Sequence, residues 1–426
     1  GRRGPVLIDL PMNIQRSEVE NPVYDMTFED KHTDAAAAQQ AADTILEALE
    51  QAKRPVIMLG HGVDSSFSQH KLIRFAQKRQ IPIITSVLAK SVLGYDHPLN
   101  FGCIGGAYGH RYANMIANAK SDLLLCFGIS LCTRQIGTKV HEFARGAKII
   151  RIDIDPYNLQ RDIHENGENE VKLQAETGAV IDCLAKVDDP DIEGVSDWLN
   201  VCTEIKENLQ AVDDATPERY PNRMIADLSD MLEDTSAIAV DVGQHMVWSY
   251  QSFKNHEGQK LLFSGGHGAM GYGLPAAIGA YYATGKPTAC ICGDGALQMN
   301  IQELEWVKRE NLPIKIMVMN NEALGMIRHL QRDYFDCLFA GTTDGCGFAS
   351  CDFAGVAKAY GIPALRMHCD AVKEEAPEFL EGEGPKLLEV MLEHGTFAYP
   401  KTCLGEPIHN QQPYAPKIVY DRLMEL

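Results

Sequence analysis

Short apolar segments recur along the chain at wide intervals, and segments of helical length separate them. They lie at 54–60, 81–88, 122–128 and 147–155 in the first half, and at 236–243, 286–295, 313–321 and 385–392 in the second. Each segment is continuously apolar rather than alternating, which is typical of strands covered on both faces. The pattern therefore predicts an α/β fold with two doubly wound parallel-sheet domains.

The apolar pattern also predicts how the chain is divided. The expected parts are, in order, a remnant strand of an upstream sheet at 1–16, a linker at 17–33, a first intact domain at 34–188, a second domain at 189–400 and an irregular C-terminal tail at 401–426. Asp34 is expected to cap an Ala-rich helix. Because the chain opens at Gly1 inside a strand-like segment, we expect an N-terminal domain to be missing.

Composition excludes several classes of protein. The 426 residues suffice for two or three domains of about 150 residues each. A formal net charge of −19 without a Lys/Arg block argues against nucleic acid and anionic membranes as partners. The apolar segments are far shorter than the roughly 20 residues that span a bilayer. The 12 cysteines include no CxxC pair, and no signal peptide is expected, so we expect a soluble protein of the reducing cytoplasm.

Polar residues follow two consecutive strands of the second half. Gly-Asp-Gly at 293–295 ends one strand, Asn-Asn at 320–321 ends the next, and an amphipathic helix is predicted over 299–310. Because a right-handed crossover makes the two strands parallel, Asp294 and Asn321 are expected at the same sheet edge. A carboxylate, an amide oxygen and a nearby carbonyl suit Mg²⁺, and the flanking glycines and helix N-terminus favour a diphosphate.

These residues carry a resemblance to a known family. The 24 residues from 296 to 319 between the two motifs resemble the GDG…NN spacing of thiamine-diphosphate enzymes. The segments DVGQHMVW (241–248) and SGGHGAMGYGLPAAIGA (264–280) are similar to the other two cofactor segments of its acetolactate synthase (acetohydroxyacid synthase) branch. The resemblance thus rests on three motifs in the same order.

The resemblance extends over nearly the whole chain. GRRGPVLIDLP at the start is similar to the closing strand of the family's pyrimidine-binding domain, and AKIIRIDIDP at 147–156 to the last strand of its central domain. It therefore implies that 34–188 is the central, nucleotide-fold domain and that 189–400 binds the diphosphate of the cofactor. It also implies that the pyrimidine-binding domain is lacking.

The resemblance implies a metal site and a cofactor groove. Mg²⁺ would be held by the Asp294 carboxylate, the Asn321 side chain and the Ala323 carbonyl. Thiamine diphosphate would contact residues from all three motifs, namely Gln244, His245, Gly268, Met270, Gly293, Gly295, Ala296, Gly325 and Met326. No catalytic side chain is implied within this chain, since the family's glutamate belongs to the pyrimidine-binding domain.

The implied activity is that of a synthase or lyase which makes or breaks carbon–carbon bonds of 2-oxo acids, with pyruvate decarboxylation and acyl transfer. The full-length form would be a homodimer or homotetramer, and this chain alone would be inactive. FAD is a further cofactor of the branch. Arg134 is kept in the flavin loop, but Ser130, Cys132 and Thr133 replace the charged members of that loop.

Two other hypotheses remain open. The chain would be a non-catalytic nucleotide-binding or regulatory module if Gly-His-Gly at 60–62 and the acidic Asp153 and Asp155 formed part of a dinucleotide fold, although the third glycine of that fingerprint is missing. It would be one chain of a split thiamine-diphosphate decarboxylase if a separate polypeptide supplied the pyrimidine-binding domain. The start inside a strand-like segment argues against the latter.

Overall fold

The computed structural model describes residues 6–18, 34–64, 68–187, 194–213, 216–217 and 220–426. Its strands are β1 (Pro55–Leu59), β2 (Ile83–Thr85), β3 (Asn100–Cys103), β4 (Leu123–Phe127), β5 (Lys148–Asp153), β6 (Glu170–Gln174), β7 (Ala237–Val240), β8 (Lys260–Phe263), β9 (Thr288–Gly293), β10 (Ile314–Asn320), β11 (Ala364–His368), β12 (Lys386–Met391), β13 (Lys401–Thr402) and β14 (Gln411–Gln412).

The helices of the described residues flank these strands. They are α1 (Met12–Gln15), α2 (Ala35–Gln51), α3 (His61–Asp64), α4 (Gln69–Arg79), α5 (Arg111–Met115), α6 (Thr133–Ile136), α7 (Pro156–Gln160), α8 (Thr177–Leu184), α9 (Asp197–Asn208), α10 (Pro221–Met231), α11 (Gln244–Ser252), α12 (Gly273–Thr284), α13 (Asp294–Gln298), α14 (Glu303–Arg309), α15 (Gly325–Tyr334), α16 (Phe353–Ala359), α17 (Val372–Leu380) and α18 (Lys417–Glu425). None of them combines the length and the apolar character needed to cross a membrane.

Two parallel six-stranded sheets organise the chain. The first has the strand order β3-β2-β1-β4-β5-β6 and the second the order β11-β12-β10-β9-β7-β8, and every pairing within them is parallel. Helices cover both sheets, so the predicted doubly wound α/β fold is confirmed. Each of the eight predicted apolar segments contains a strand.

The four strands of these two sheets that the apolar pattern did not predict are β3, β6, β8 and β11, and each lies at an edge of its sheet. An edge strand has one neighbour, so its sequence does not need to be continuously apolar. Strand β6, for example, has the sequence EVKLQ and no fully buried residue. Strands β6, β8 and β11 are only partly buried, whereas β3 is fully buried but contains Asn100 and Gly102 and therefore has no continuous apolar run.

The residues before the first sheet bear on three predictions, namely a helix cap, a strand and a linker. The Asp34 carboxylate accepts hydrogen bonds from the backbone N–H groups of Ala36 and Ala37 at 3.0 Å each, which confirms the predicted cap of the Ala-rich helix. Residues 6–10, predicted as a strand, pair with no strand among the described residues, and the Val6 and Leu7 side chains are exposed. A lone strand without a partner is not stable. The predicted linker at 17–33 lies outside the described residues from 19 onward.

Segments on both sides of the second sheet's domain along the chain pack against the first sheet's domain. Helix α9, at the start of the predicted second domain, buries Trp198 and Ile205 in the core around the first sheet, and the C-terminal Leu423 is buried in the same core. Residues 401–426 were predicted to be irregular, and this is wrong, because they form the β13–β14 pair and α18. The prolines before α18 made the whole segment resemble an irregular tail, although a regular helix follows them. The bounds of the domains themselves stay a prediction.

The crossover between β9 and β10 brings the two polar motifs to one edge. Gly293 is paired with Met319 in the parallel register of these strands, so Asp294 and Asn320 both follow at the carboxyl end. Of the helix predicted over 299–310, only 303–309 forms a regular helix, α14, and the short helix α13 precedes the predicted range. Helix α14 buries Leu304 and Val307, as expected for the predicted amphipathic helix.

A buried carboxylate fixes the end of β10 from the neighbouring strand. Glu389 of β12 has no exposed surface and accepts hydrogen bonds from Asn320 Nδ2 at 2.7 Å, from the Ala354 N–H at 2.9 Å and from the Arg366 guanidinium at 2.9 and 3.0 Å. Because every donor has an oxygen to bind, the burial of this charge is compensated. The position of the Asn-Asn motif thus depends on Glu389.

We predict that Glu389→Gln lowers the free energy of unfolding by about 2 kcal/mol, because an amide NH₂ would then face one of the donors now bound by the carboxylate. Urea denaturation followed by circular dichroism measures the change. The exposed Glu383 offers the control Glu383→Gln, which is expected to stay within about 0.5 kcal/mol of the unchanged chain. Equal unfolding midpoints for both variants would show that the Glu389 network does not hold β10.

Candidate functional site

A cavity of about 220 Å³ lies at the carboxyl edge of the second sheet. It opens beside β7 and β9, where the strand order changes direction. Ligands of open α/β sheets bind at this kind of position. All twelve residues singled out in the sequence line it, namely Gln244, His245, Gly268, Met270, Gly293, Asp294, Gly295, Ala296, Asn321, Ala323, Gly325 and Met326. The fold therefore brings the three sequence motifs together at one place.

Asp294 begins α13 at the floor of this cavity and is 4% exposed. Its Oδ1 accepts the Gly295 N–H at 2.9 Å and its Oδ2 accepts the Ala323 N–H at 3.1 Å. Burial raises the pKa of the Asp294 carboxyl to about 6, and the nearby Glu322 charge acts in the same direction. The two backbone donors fix the orientation of the carboxylate without supplying a positive charge. A cation bound here would relieve the cost of burying the charge.

The two asparagines of the motif have different roles. Asn320 is turned into the protein, where its Oδ1 accepts the Glu322 N–H at 3.0 Å and its amide binds Glu389. Asn321 lines the cavity and donates from Nδ2 to Gln244 Oε1 at 2.9 Å. Gln244 in turn donates to the Thr396 carbonyl at 3.1 Å. This chain of amides leaves the Asn321 amide oxygen as the atom that can face a cation.

His245 is a neutral, buried imidazole in the cavity wall. Burial lowers the pKa of His245 to about 4. Its Nε2 is buried and has no hydrogen-bond partner among the described residues. A Cβ added at Gly243 or Gly293 would come within 3.0 Å of the ring, so both glycines make room for it. A buried ring nitrogen without a partner is a position where a polar ligand atom fits.

The segment that carries Met270 is held by an acid that the sequence analysis did not single out. Asp241, the first residue after β7, accepts the N–H groups of Gly271 at 3.0 Å and Gly273 at 2.7 Å. Met270 is thereby placed opposite Gly295, where a Cβ would lie 3.3 Å from the methionine methyl group. The position of Asp241 directly after a buried strand is a signal by which the sequence analysis could have found it. Its hydrogen-bond donors, however, are known only from the fold.

The cavity has further lining residues that the motifs did not indicate. They are Val242, Gly243, Trp248, Met319, Leu324 and Ile327. Trp248 follows Gln244 by four residues on α11, so helical periodicity placed it on the same face. These mostly apolar side chains limit the access of water to the polar groups, which strengthens electrostatic interactions inside.

The incomplete dinucleotide fingerprint of the first sheet is explained by packing. A Cβ at Gly60 would overlap the backbone carbonyl of Gly128, and Gly62 donates its N–H to that carbonyl at 3.2 Å. These glycines therefore allow two loops to contact each other. Asp153 accepts the Asp155 N–H at 2.9 Å and Asp155 caps α7. The residues behind the nucleotide-binding hypothesis thus have structural roles in the fold.

We predict that Gly325→Ala lowers the free energy of unfolding by about 1–3 kcal/mol, the usual cost of overpacking, because the new Cβ would overlap Gln244 Oε1 and lie 2.9 Å from Asn321 Nδ2. Gly279→Ala in α12 is the matched control, since a Cβ there meets nothing within 4 Å. This control is expected to be neutral or stabilising by about 0.5–1 kcal/mol. Equal effects of both substitutions in thermal denaturation would contradict the close packing around the amide pair.

Two family models match the chain in the order of its two sheets. Residues 42–184 match the central domain of thiamine pyrophosphate enzymes, and residues 241–390 match the C-terminal TPP binding domain of thiamine pyrophosphate enzymes. The second match contains the cavity with Asp294 and Asn321. Thiamine pyrophosphate is another name for thiamine diphosphate, so the chain carries the domain that the resemblance implied.

Similar proteins cover nearly the whole chain. Acetolactate synthase 1, chloroplastic, of Oryza sativa subsp. japonica is 32% identical over 422 residues, 95% of this chain and 64% of the relative. Acetolactate synthase isozyme 1 large subunit of Escherichia coli (strain K12) is 31% identical over 412 residues, 95% of this chain and 70% of the relative. The probable acetolactate synthase large subunit of Methanocaldococcus jannaschii is 33% identical over 413 residues, 92% of this chain and 67% of the relative.

The chain spans slightly less than two thirds of the length of the Oryza relative. The matched domains, the identity over almost the entire chain and the gathered motifs agree with one another. The chain belongs to the family of thiamine pyrophosphate enzymes, among the relatives of the acetolactate synthases.

Proposed function

We propose that this chain supplies the central and cofactor-binding domains of a thiamine-diphosphate- and Mg²⁺-dependent synthase or lyase that acts on a 2-oxo acid such as pyruvate. The observation that carries the proposal is the buried Asp294 carboxylate, which shares a 220 Å³ cavity with the Asn321 amide and the Ala323 backbone. The acetolactate synthases similar to the chain support the choice of substrate class.

The donor set of the cavity fits Mg²⁺. The Asp294 carboxylate, the Asn321 amide oxygen and the Ala323 carbonyl are hard oxygen ligands, which this ion prefers. Asp294 is desolvated and has no cationic side chain among its hydrogen-bond partners, and Glu322 adds negative charge nearby. In our proposal these three residues hold the metal and leave other coordination positions to water and to phosphate oxygens.

The remaining lining residues fit a diphosphate and an aromatic cofactor. His245 Nε2 is a buried polar atom without a protein partner, and the absence of side chains at Gly293 and Gly295 keeps the floor of the cavity close to the backbone. Met270 and Gly295 face each other, so an apolar group lies across the cavity from α13. When bound, thiamine diphosphate supplies a thiazolium ring that stabilises negative charge on the reacting carbon. The role of this chain is to bind and orient the cofactor and to exclude water from it.

A larger cavity of about 680 Å³ adjoins the first, and Met326 of α15 lines both. Leu330 and Tyr334 of the same helix, and Tyr108 and Thr402 opposite, also line it. We propose that the 2-oxo acid and its acceptor reach the cofactor through this space. Leu330 is half exposed there, so it is placed to influence which acceptor fits.

The oligomeric form and the flavin have unequal support. Helix α12 leaves the side chains of Pro275 and Tyr282 exposed, and covering such apolar surface against another chain is favourable. This favours the homo-oligomer that the resemblance implies.

Arg134, the residue kept in the flavin loop, donates from Nη1 to the Gly266 carbonyl at 3.0 Å. It thus joins the two domains, and FAD is not part of the proposal.

The test is isothermal titration of the chain with thiamine diphosphate, with and without Mg²⁺. We expect binding that requires the metal, and a loss of affinity of about 100-fold or more in Asp294→Asn, because the charged ligand that compensates the metal is removed. Asp421→Asn, an exposed position on α18, is the matched control and is expected to bind as the unchanged chain does. Binding that is independent of Mg²⁺, or equal in both variants, would refute the proposal.

A further inference from the structure

A second group of metal-ligating side chains lies at the same sheet edge, away from the cofactor cavity. His368 ends β11, the edge strand, and Cys369 and Asp370 form the turn that follows. None of these three residues lines the 220 Å³ cavity. His368 and Asp370 are exposed to solvent, whereas Cys369 is 2% exposed. The group therefore has a buried sulfur beneath two accessible ligands.

The donor atoms of this group are separated as they would be around one ion. His368 Nδ1 lies 3.2 Å from Asp370 Oδ2, Cys369 Sγ lies 3.7 Å from His368 Nδ1, and Cys369 Sγ lies 3.9 Å from Asp370 Oδ1. With metal–ligand bonds of about 2.0–2.3 Å, two donors on a tetrahedral zinc ion are roughly 3.3–3.8 Å apart. The two Asp370 distances are to different oxygens of its carboxylate, and one donor atom from each residue lies within 4.8 Å of the others, so side-chain rotations of exposed His368 and Asp370 suffice to close the site around an ion.

We propose that His368, Cys369 and Asp370 bind one divalent ion of the zinc class, as a site separate from the Mg²⁺ position. A sulfur and an imidazole nitrogen are soft or borderline ligands, which favour Zn²⁺ or Co²⁺ over Mg²⁺. The Asp294 site offers only oxygen atoms and has the opposite preference. The two sites on this sheet edge would therefore select different ions, because one offers sulfur and nitrogen and the other offers only oxygen.

The fourth coordination position of this site faces solvent. Strands β11 and β12 are in parallel register with His368 opposite Met391, so Glu393 follows β12 at the level at which Asp370 follows β11. The Glu393 charge lies close enough to contribute to raising the pKa of the Cys369 thiol, after burial and the Asp370 charge. Either water or Glu393 completes the tetrahedron. A site with an open position exchanges its metal more readily than a closed structural one.

Binding changes one covalent bond of the protein. The Cys369 S–H bond breaks as the sulfur–metal bond forms, and the proton leaves to solvent. His368 binds through Nδ1 as the neutral imidazole, and Asp370 binds as the carboxylate. The ion remains divalent throughout, and no oxidant or reductant is required.

The test is a Co²⁺ titration of the chelator-treated, reduced chain in saturating Mg²⁺, followed by absorption. We expect one equivalent to bind with a sulfur-to-cobalt charge-transfer band and the d–d bands of tetrahedral cobalt, and Zn²⁺ to displace it. Cys369→Ser is expected to abolish the charge-transfer band. His368→Ala and Asp370→Asn, which change exposed side chains and leave the core intact, are each expected to weaken Co²⁺ binding by about tenfold or more.

Matched variants separate this site from other ligands in the chain. Cys337→Ser changes an exposed cysteine and is expected to keep both the band and the affinity. Asp294→Asn is expected to keep them as well, so that failure of the proposed function and failure of this inference are distinguishable. Absence of Co²⁺ binding, or equal bands in the unchanged chain, Cys369→Ser and His368→Ala, would overturn the proposal.

Discussion

The buried carboxylate of Asp294 is the constraint on which the cofactor site depends. Its two oxygens are held by the backbone N–H groups of Gly295 and Ala323, so its orientation is set by the ends of two adjacent strands. Burial disfavours the charged form and raises the pKa to about 6. Glu322 lies nearby, and no positively charged side chain among the described residues hydrogen-bonds to Asp294. Such a buried carboxylate is suited to bind a cation.

Other buried carboxylates position the loops that surround Asp294. Glu389 of β12 binds Asn320, which directs the next residue, Asn321, toward the cavity. Asp241 performs the corresponding task for the loop of Met270 by accepting two glycine N–H groups. Buried carboxylates thus serve two purposes at this sheet edge. Glu389 and Asp241 hold neighbouring loops, and Asp294, the one that lines the cavity, is the proposed metal ligand.

Much of this arrangement follows from the sequence, and the limits have physical causes. Central strands were predicted because burial on both faces demands continuous hydrophobicity, whereas β6 and β11 are edge strands with polar residues. The twelve residues proposed to hold the cofactor and metal were singled out because three motifs resemble a family, and the fold brings them to one cavity. His368, Cys369 and Asp370 were missed because three adjacent ligands have no characteristic spacing, and only the turn after β11 brings their donor atoms within 4.8 Å of one another.

The most direct measurement is diffraction from crystals of the chain grown with thiamine diphosphate and Mn²⁺ in place of Mg²⁺, with anomalous data collected to locate the metal. The account predicts a metal peak at roughly 2.0–2.3 Å from an Asp294 oxygen, the Asn321 amide oxygen and the Ala323 carbonyl, with diphosphate oxygens completing the shell. A peak elsewhere, or cofactor density in a cavity where Asp294 coordinates nothing, would contradict it.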